Sequence, residues 1–226
     1  MTRMNNLRFL FCIIIIYIPG VIFGQSDDFG IWYGIDAEHK LVKKLDLKLS
    51  SQVRTFNNAS QVDQAYIEGG LSFELNDFLS TGTSYRFTGK LEDDSRYHVR
   101  HKWFGEIKGS LPLNDFTFSA RLMLQIMKRT YIEAEDDEIP KYAGRMKFKT
   151  VYDIPKFPLN PFLSAETFTP LFEQSEVLID KERFAAGFEY KIRKKHTFET
   201  SYILERYSLP EVLLYHVLSL KYRLSF

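Results

Sequence analysis

The sequence predicts an all-β chain: a single antiparallel, up-and-down transmembrane β-barrel of about 10 to 12 strands after a cleaved signal peptide. Three observations carry this expectation. Apolar and polar residues alternate with period 2 in nearly every segment, the spacing that puts successive strand side chains on opposite faces. The polar face is dense in charge while the other is rich in aromatics, the reverse of a soluble, lipocalin-like barrel. Finally, the closing stretch LSLKYRLSF carries the alternation through to Phe226. A strand left open there would expose an aggregation-prone apolar edge, which closure into a barrel removes.

The amino end is read first. Arg3 and Arg8 precede an apolar core from Phe9 to Ile18, followed by Pro19, Gly20 and Gly24. Basic, apolar and small residues in that order make a secretory signal peptide, with residues 1–24 removed and 25–226 left as the barrel. The competing reading, a membrane anchor, needs about 20 apolar residues, more than this core supplies. The only cysteine, Cys12, falls within the apolar core, so the mature chain is expected to lack thiol chemistry. The chain has 30 basic and 29 acidic residues, two of the former in the leader, so nucleic acid is an unsuited partner. A mean hydropathy of -0.23 fits alternating strands as well as a soluble fold.

Eleven strands follow in order, near 29–38, 45–56, 63–75, 78–90, 95–111, 115–129, 140–153, 161–170, 182–192, 196–207 and 213–226. The sixth shows the pattern best: Phe116, Phe118, Ala120, Leu122, Leu124 and Ile126 share one face, opposed by Thr117, Ser119, Arg121, Gln125 and Arg129. The seventh sets Tyr142, Met146, Phe148 and Tyr152 against Arg145, Lys147 and Lys149, and the second and ninth repeat the plan. Because bacterial single-chain barrels normally have an even strand number, a further strand is expected in 170–181 or at the amino end, or else one strand is wrongly divided. The connections fall into two kinds. Short turns near 41–44, 76–77, 112–115, 154–161 and 193–196 alternate with longer or more acidic links at 57–62, 91–95, 131–140, 171–181 and 208–212, as periplasmic turns alternate with external loops.

The end of the chain, LSLKYRLSF with Leu218, Leu220, Tyr222, Leu224 and Phe226 in one parity, resembles the carboxy-terminal assembly signal of Gram-negative outer-membrane barrels. That resemblance implies export, insertion by the barrel-assembly machinery and residence in outer-membrane lipid. More narrowly, FGIWYGIDAEHKLVKKLDLKLSSQVR, PFLSAETF and KERFAAGFEYKIRKKHTFETSYILERY resemble a family of small outer-membrane barrels of the Bacteroidota, a domain of unknown function. The family implies no catalytic residues and no cofactor.

Candidate chemistry is sparse. His98 is the best histidine for a rim hydrolase acting on lipid, with Asp93, Asp94 and Ser95 beside it. His216 and Ser219 are oddly spaced and take opposite faces, which disfavours a dyad. No paired-histidine motif or calcium loop suggests a metal, and EAEDDE reads as a solvated acidic loop. The inward charges are more informative. A cluster of Arg96, Arg100, Lys102, Arg121, Arg145, Lys147 and Lys149 with Glu106 is expected to line the lumen. Either such charges pair across a mostly closed interior, because an unpaired buried charge costs several kcal/mol, or they form the wall of a narrow, porin-like channel preferring anions. The functional expectation is therefore a structural or transport-related barrel, with a lipid hydrolase or acyl-modifying enzyme using a rim histidine as the alternative.

Overall fold

The computed structural model describes residues 28–131, 139–172, 178–193, 195–208 and 212–226. The expected signal peptide, Cys12 and the acidic EAEDDE stretch lie outside them.

Eleven strands form one closed barrel. They are β1 (Asp28–Val42), β2 (Leu45–Phe56), β3 (Gln61–Glu74), β4 (Leu79–Leu91), β5 (Tyr97–Leu113), β6 (Phe116–Arg129), β7 (Lys141–Tyr152), β8 (Leu159–Leu171), β9 (Lys181–Arg193), β10 (His196–Tyr207) and β11 (Leu213–Ser225). Each sequential pair is an antiparallel hairpin, so β1 and β11 run the same way and close the barrel through a parallel ladder from Asp28 opposite Tyr215 to Glu38 opposite Ser225. The expectation of an even number is corrected here. Among the described residues no twelfth strand occurs ahead of β1 or between β8 and β9, and parallel closure supplies the edge pairing that an added strand would have given.

The odd count has a geometric consequence. Asp28 starts β1 on the rim of the longer connections, whereas Phe226 sits on the short-turn rim, its N–H bonded to the Glu38 carbonyl at 2.9 Å. Local chemistry sets the turns. Lys44 and Asn114 adopt positive φ (74° and 52°) in the tight links β1–β2 and β5–β6, a conformation asparagine tolerates well. Between β2 and β3, Asn57, Asn58 and Ala59 all have positive φ, and the Asp28 carboxylate accepts the N–H groups of Asn57 and Asn58 at 2.8 Å each.

Side-chain parity sorts the wall into two surfaces. Large apolar residues point outward and stay exposed, Ile67 at 63% and Leu163 at 66% among them, from β1 right around to β10. A continuous apolar band of that extent is unstable in water and matched to hydrocarbon. Histidines mark its edges by bonding to tyrosines on neighbouring strands: His101 Nδ1 lies 2.5 Å from the Tyr85 hydroxyl, His216 meets Tyr202, and His196 Nδ1 is 2.5 Å from the Tyr222 hydroxyl. The first two pairs lie toward the long-loop rim and the third at the short-turn rim, where His39 also packs edge-on against Phe226 at 5.9 Å. From position 216 to position 224, at about 3.3 Å per residue and a tilt of about 40°, the span is roughly 20 Å, near the height of a lipid-facing band. Amphipathic rings at both edges suit a headgroup boundary.

Candidate functional site

Inward parity carries charges, as the alternation predicts, but also aromatics. Trp32 on β1, Tyr66 on β3, Phe104 on β5 and Phe162 and Phe168 on β8 are all buried inside the barrel. Trp32 packs with Ile203 and Val217 in a small dry cluster flanked by Ala185 and Tyr215. Sequence reasoning missed this filling. Its signal is present in β8, where Phe162 and Phe168 share the parity of Glu166 and not that of Leu163 and Ala165.

Cations stack on these rings. The Arg54 guanidinium lies 3.9 Å from the Trp32 centroid, and Arg86 lies 3.9 Å from that of Tyr66 and 4.9 Å from that of Phe104. Arg183 reaches from β9 to within 4.9 Å of Trp32 on β1, while Arg145 sits 4.5 Å from Phe168 and Lys149 4.0 Å from Phe162. Flat guanidinium groups and rings thereby fill the part of the lumen nearer the long-loop rim, and each contact is worth about 0.5 to 2 kcal/mol where desolvated.

The carboxylates form two main knots. The register sets Arg121, Lys147, Glu166, Arg183 and Glu205 along one rung across β6 to β10. Glu166, only 3% exposed, accepts from Arg121 at 2.9 Å, Arg145 at 2.8 Å and Arg183 at 3.2 Å. Glu205 accepts from Arg183 Nε at 2.7 Å and the Tyr207 hydroxyl at 3.2 Å, with Lys181 3.8 Å away. Nearer the short turns, Lys149 pairs with Glu189 at 2.5 Å and Glu199 at 3.7 Å, and Arg223 joins Glu199 at 3.2 Å. On the opposite wall, Glu68 holds Arg86 Nε at 2.6 Å.

Of the expected cluster, Arg100, Lys102, Arg121, Arg145, Lys147, Lys149 and Glu106 lie on inward parity of β5, β6 and β7. Arg96 does not: it is exposed in the turn ahead of β5, its N–H bonded to Asp94 at 2.9 Å, so the turn takes it out of the wall. Arg121 also reaches Glu106 at 3.5 Å, and Arg100 pairs with Glu92 at the rim. Lys102 and Lys147 form no ion pair among the described residues, although Lys102 stands opposite Arg86 and Lys147 opposite Arg121 in the ladder. Like charges directly across strands destabilise one another. In each pair the arginine takes the carboxylate and the lysine is left with surplus charge. Around the short-turn end the lumen is more open, with Lys48 and Glu38 over a third exposed and 3.7 Å apart.

The rim histidine has an acid and an aromatic ring as its partners among the described residues. His98 Nε2 lies 2.8 Å from the Asp94 carboxylate and its ring stacks on Tyr131 at 3.9 Å, with no serine hydroxyl among these partners. The hydrogen bond from His98, followed by the Arg96 N–H, holds the Asp94 carboxyl below the usual carboxylate range. Burial and a hydrogen bond with Glu92 push the Tyr131 hydroxyl up. Ser219 points into the barrel, where it is buried, while His216 faces outward to Tyr202, so that pair is split by the wall. No group of three or more histidine, cysteine or acidic side chains among the described residues is arranged to hold a metal ion.

The family described as "Protein of unknown function (DUF2490)" matches residues 29–209. No curated protein matches the sequence. Solved structures match as well, among them the following two. The beta domain of the Bordetella autotransporter Brka has 10% identity and a TM-score of 0.51, covering 77% of this chain and 81% of its own. A bacterial polysaccharide outer membrane secretin has 12% identity and a TM-score of 0.49, covering 76% and 72%. At 10% identity the likeness to the autotransporter domain is one of fold.

Proposed function

The chain belongs to that family of unknown function, and from this premise we propose that it is an outer-membrane barrel whose basic, narrow lumen passes small anions. The short turns and Phe226 face the periplasm, the longer connections face outward, and the barrel-assembly machinery inserts the chain through its terminal strand. The observation that carries the transport reading is the surplus of inward cations along the lumen wall. Among the described residues Lys102 and Lys147 face the lumen without an ion pair, and Arg54 has only Gln52 and aromatic rings for partners. A low-dielectric passage with unneutralised cations attracts anions and repels cations. The aromatic and guanidinium filling near the outer rim makes the path narrow, so flux is small.

The test is conductance of the purified full chain in planar bilayers under a potassium chloride gradient. Small discrete steps with a reversal potential on the chloride side are expected, and Lys102→Glu with Lys147→Glu should move that potential toward potassium. Silent bilayers containing folded protein, or cation selectivity in the unmodified chain, would end the transport reading.

A further inference from the structure

Arg54, Arg86 and Lys102 converge on one patch of the inner wall. Arg86 and Lys102 are register partners on β4 and β5, and Arg54 and Arg86 share the ring of Tyr66, at 5.5 and 3.9 Å from its centroid. Phe104, on the same face of β5 as Lys102, closes the patch beneath Arg86 at 4.9 Å. The three cations differ in what neutralises them. Arg86 is held by Glu68 at 2.5 to 2.6 Å, and the Ser84 hydroxyl binds the same carboxylate at 2.9 Å. Arg54 donates Nε to the neutral Gln52 amide at 2.6 Å and otherwise lies flat on Trp32. Lys102 has no hydrogen-bond or ion-pair partner among the described residues, stands directly across the ladder from Arg86, and lies within electrostatic reach of Arg54, Lys181 and Arg100.

Two formal positive charges, one on a planar fork and one on a flexible ammonium, thus flank Arg86 on the half-buried inner wall without an ion-pair partner among the described residues. Such an arrangement is costly by itself and becomes favourable when a divalent oxyanion enters. The guanidinium fork matches two oxygens of a tetrahedral oxyanion, and the ammonium supplies a third contact as a point charge. We propose that Arg54 and Lys102 form a binding site inside the barrel for a phosphate group, free or carried by a small solute. Charge balance favours a phosphate dianion over a carboxylate or chloride, which would leave one cation uncompensated. The inference deepens the anion-passing reading and rests on it only for access of the solute.

Trp32, in contact with Arg54, is a built-in reporter, and the chain has only one other tryptophan, Trp103, which points outward. The experiment uses the full chain folded in detergent on a Trp103→Phe background, with folding of every variant checked by heat-modifiable gel migration. Inorganic phosphate, glycerol phosphate and, as controls, chloride and acetate are titrated at constant ionic strength. The expected result is a saturable change in Trp32 emission with both phosphates and none with chloride or acetate. Lys102→Met and Arg54→Gln should each weaken it at least tenfold, and Lys191→Met, at an exposed contact near the short turns, should leave it within about twofold. Saturation by inorganic phosphate alone identifies the free ion as the ligand, and saturation by both identifies the phosphate group; either supports the site. No saturable response, or equal binding in Lys102→Met, overturns it. Conductance measured in parallel separates the two ideas: phosphate binding with silent bilayers keeps the site and ends the transport reading, while anion-selective steps with no phosphate response remove the site alone.

Discussion

Glu166 is the carboxylate on which the lumen network turns. Glu166→Gln keeps the side-chain volume and one acceptor oxygen, so its effect is the removal of charge and not the opening of a cavity. Its three arginine partners fare differently. Arg121 retains Glu106 at 3.5 Å and Arg183 retains Glu205, whereas Arg145 loses its only ion pair among the described residues and keeps a 3.4 Å contact to the Gln125 amide. Removing one partner of a buried ion pair typically costs about 3 to 5 kcal/mol, because the remaining charge is left uncompensated. The loss here is expected in that range. A matched control is the exposed Lys191–Asp153 contact at 3.3 Å, where Asp153→Asn should cost less than about 1 kcal/mol. Equilibrium urea unfolding in lipid vesicles, followed by tryptophan emission, measures both. If Glu166→Gln falls within about 1 kcal/mol of the parent and is no worse than Asp153→Asn, the lumen is wet enough to solvate Arg145 and the description of a packed charge network is wrong.

Three further outcomes follow from the geometry. A Cβ at Gly187 would lie 2.3 Å from the Thr200 carbonyl oxygen and 2.5 Å from the Ser201 Cβ, whereas one at Gly105 meets nothing within 4 Å; Gly187→Ala should therefore abolish or sharply reduce the folded, heat-modifiable gel band, and Gly105→Ala should leave it intact. Leu122→Arg puts a cation on the lipid face and should destabilise by about 2 to 4 kcal/mol in vesicle unfolding if it sits near the bilayer midplane. At the rim, the Asp94 carboxylate is stabilised by His98, so that contribution is present above the ordinary carboxylate value of about 4 and is lost as pH falls through the depressed value. An NMR titration of Asp94 should give a midpoint below that ordinary value, returning toward it in His98→Ala; an unchanged midpoint would sever the link.

What the sequence reveals and hides here has a physical basis. Outward and inward faces are legible because a strand has a period of 2, so a single charged position such as Lys147 fixes the orientation of its whole strand. The turns are legible from their residues, as at Asn114. Closure is less so: the ladder joining β1 to β11 links positions about as far apart as the chain allows, and alternation within each strand does not depend on whether that final pairing is parallel. The inward aromatics hide for a related reason. Aromatics are abundant on the outward side, so Trp32 and Tyr66 look like members of that set unless their parity is counted against Asp36 and Glu68. Ion-pair partners hide because they depend on reach across the lumen: nothing in the spacing indicates that Arg183 meets both Glu166 and Glu205 while Lys147, which stands directly opposite Glu166, is left out. Arg96 shows the opposite failure, since strand parity extended into a turn no longer describes where a side chain points.

The central claim, that lipid bathes one face of the wall while charges and a few aromatics fill the interior, is tested most directly by the two tryptophans. Trp103 is 45% exposed on the outer surface and Trp32 is 4% exposed inside. Single-tryptophan variants, Trp32→Phe and Trp103→Phe, are reconstituted into vesicles whose acyl chains carry bromine, a contact quencher of indole emission. Strong quenching of Trp103 with Trp32 nearly unaffected is the predicted result. Equal quenching of both, or none at Trp103, would contradict the arrangement of the whole barrel.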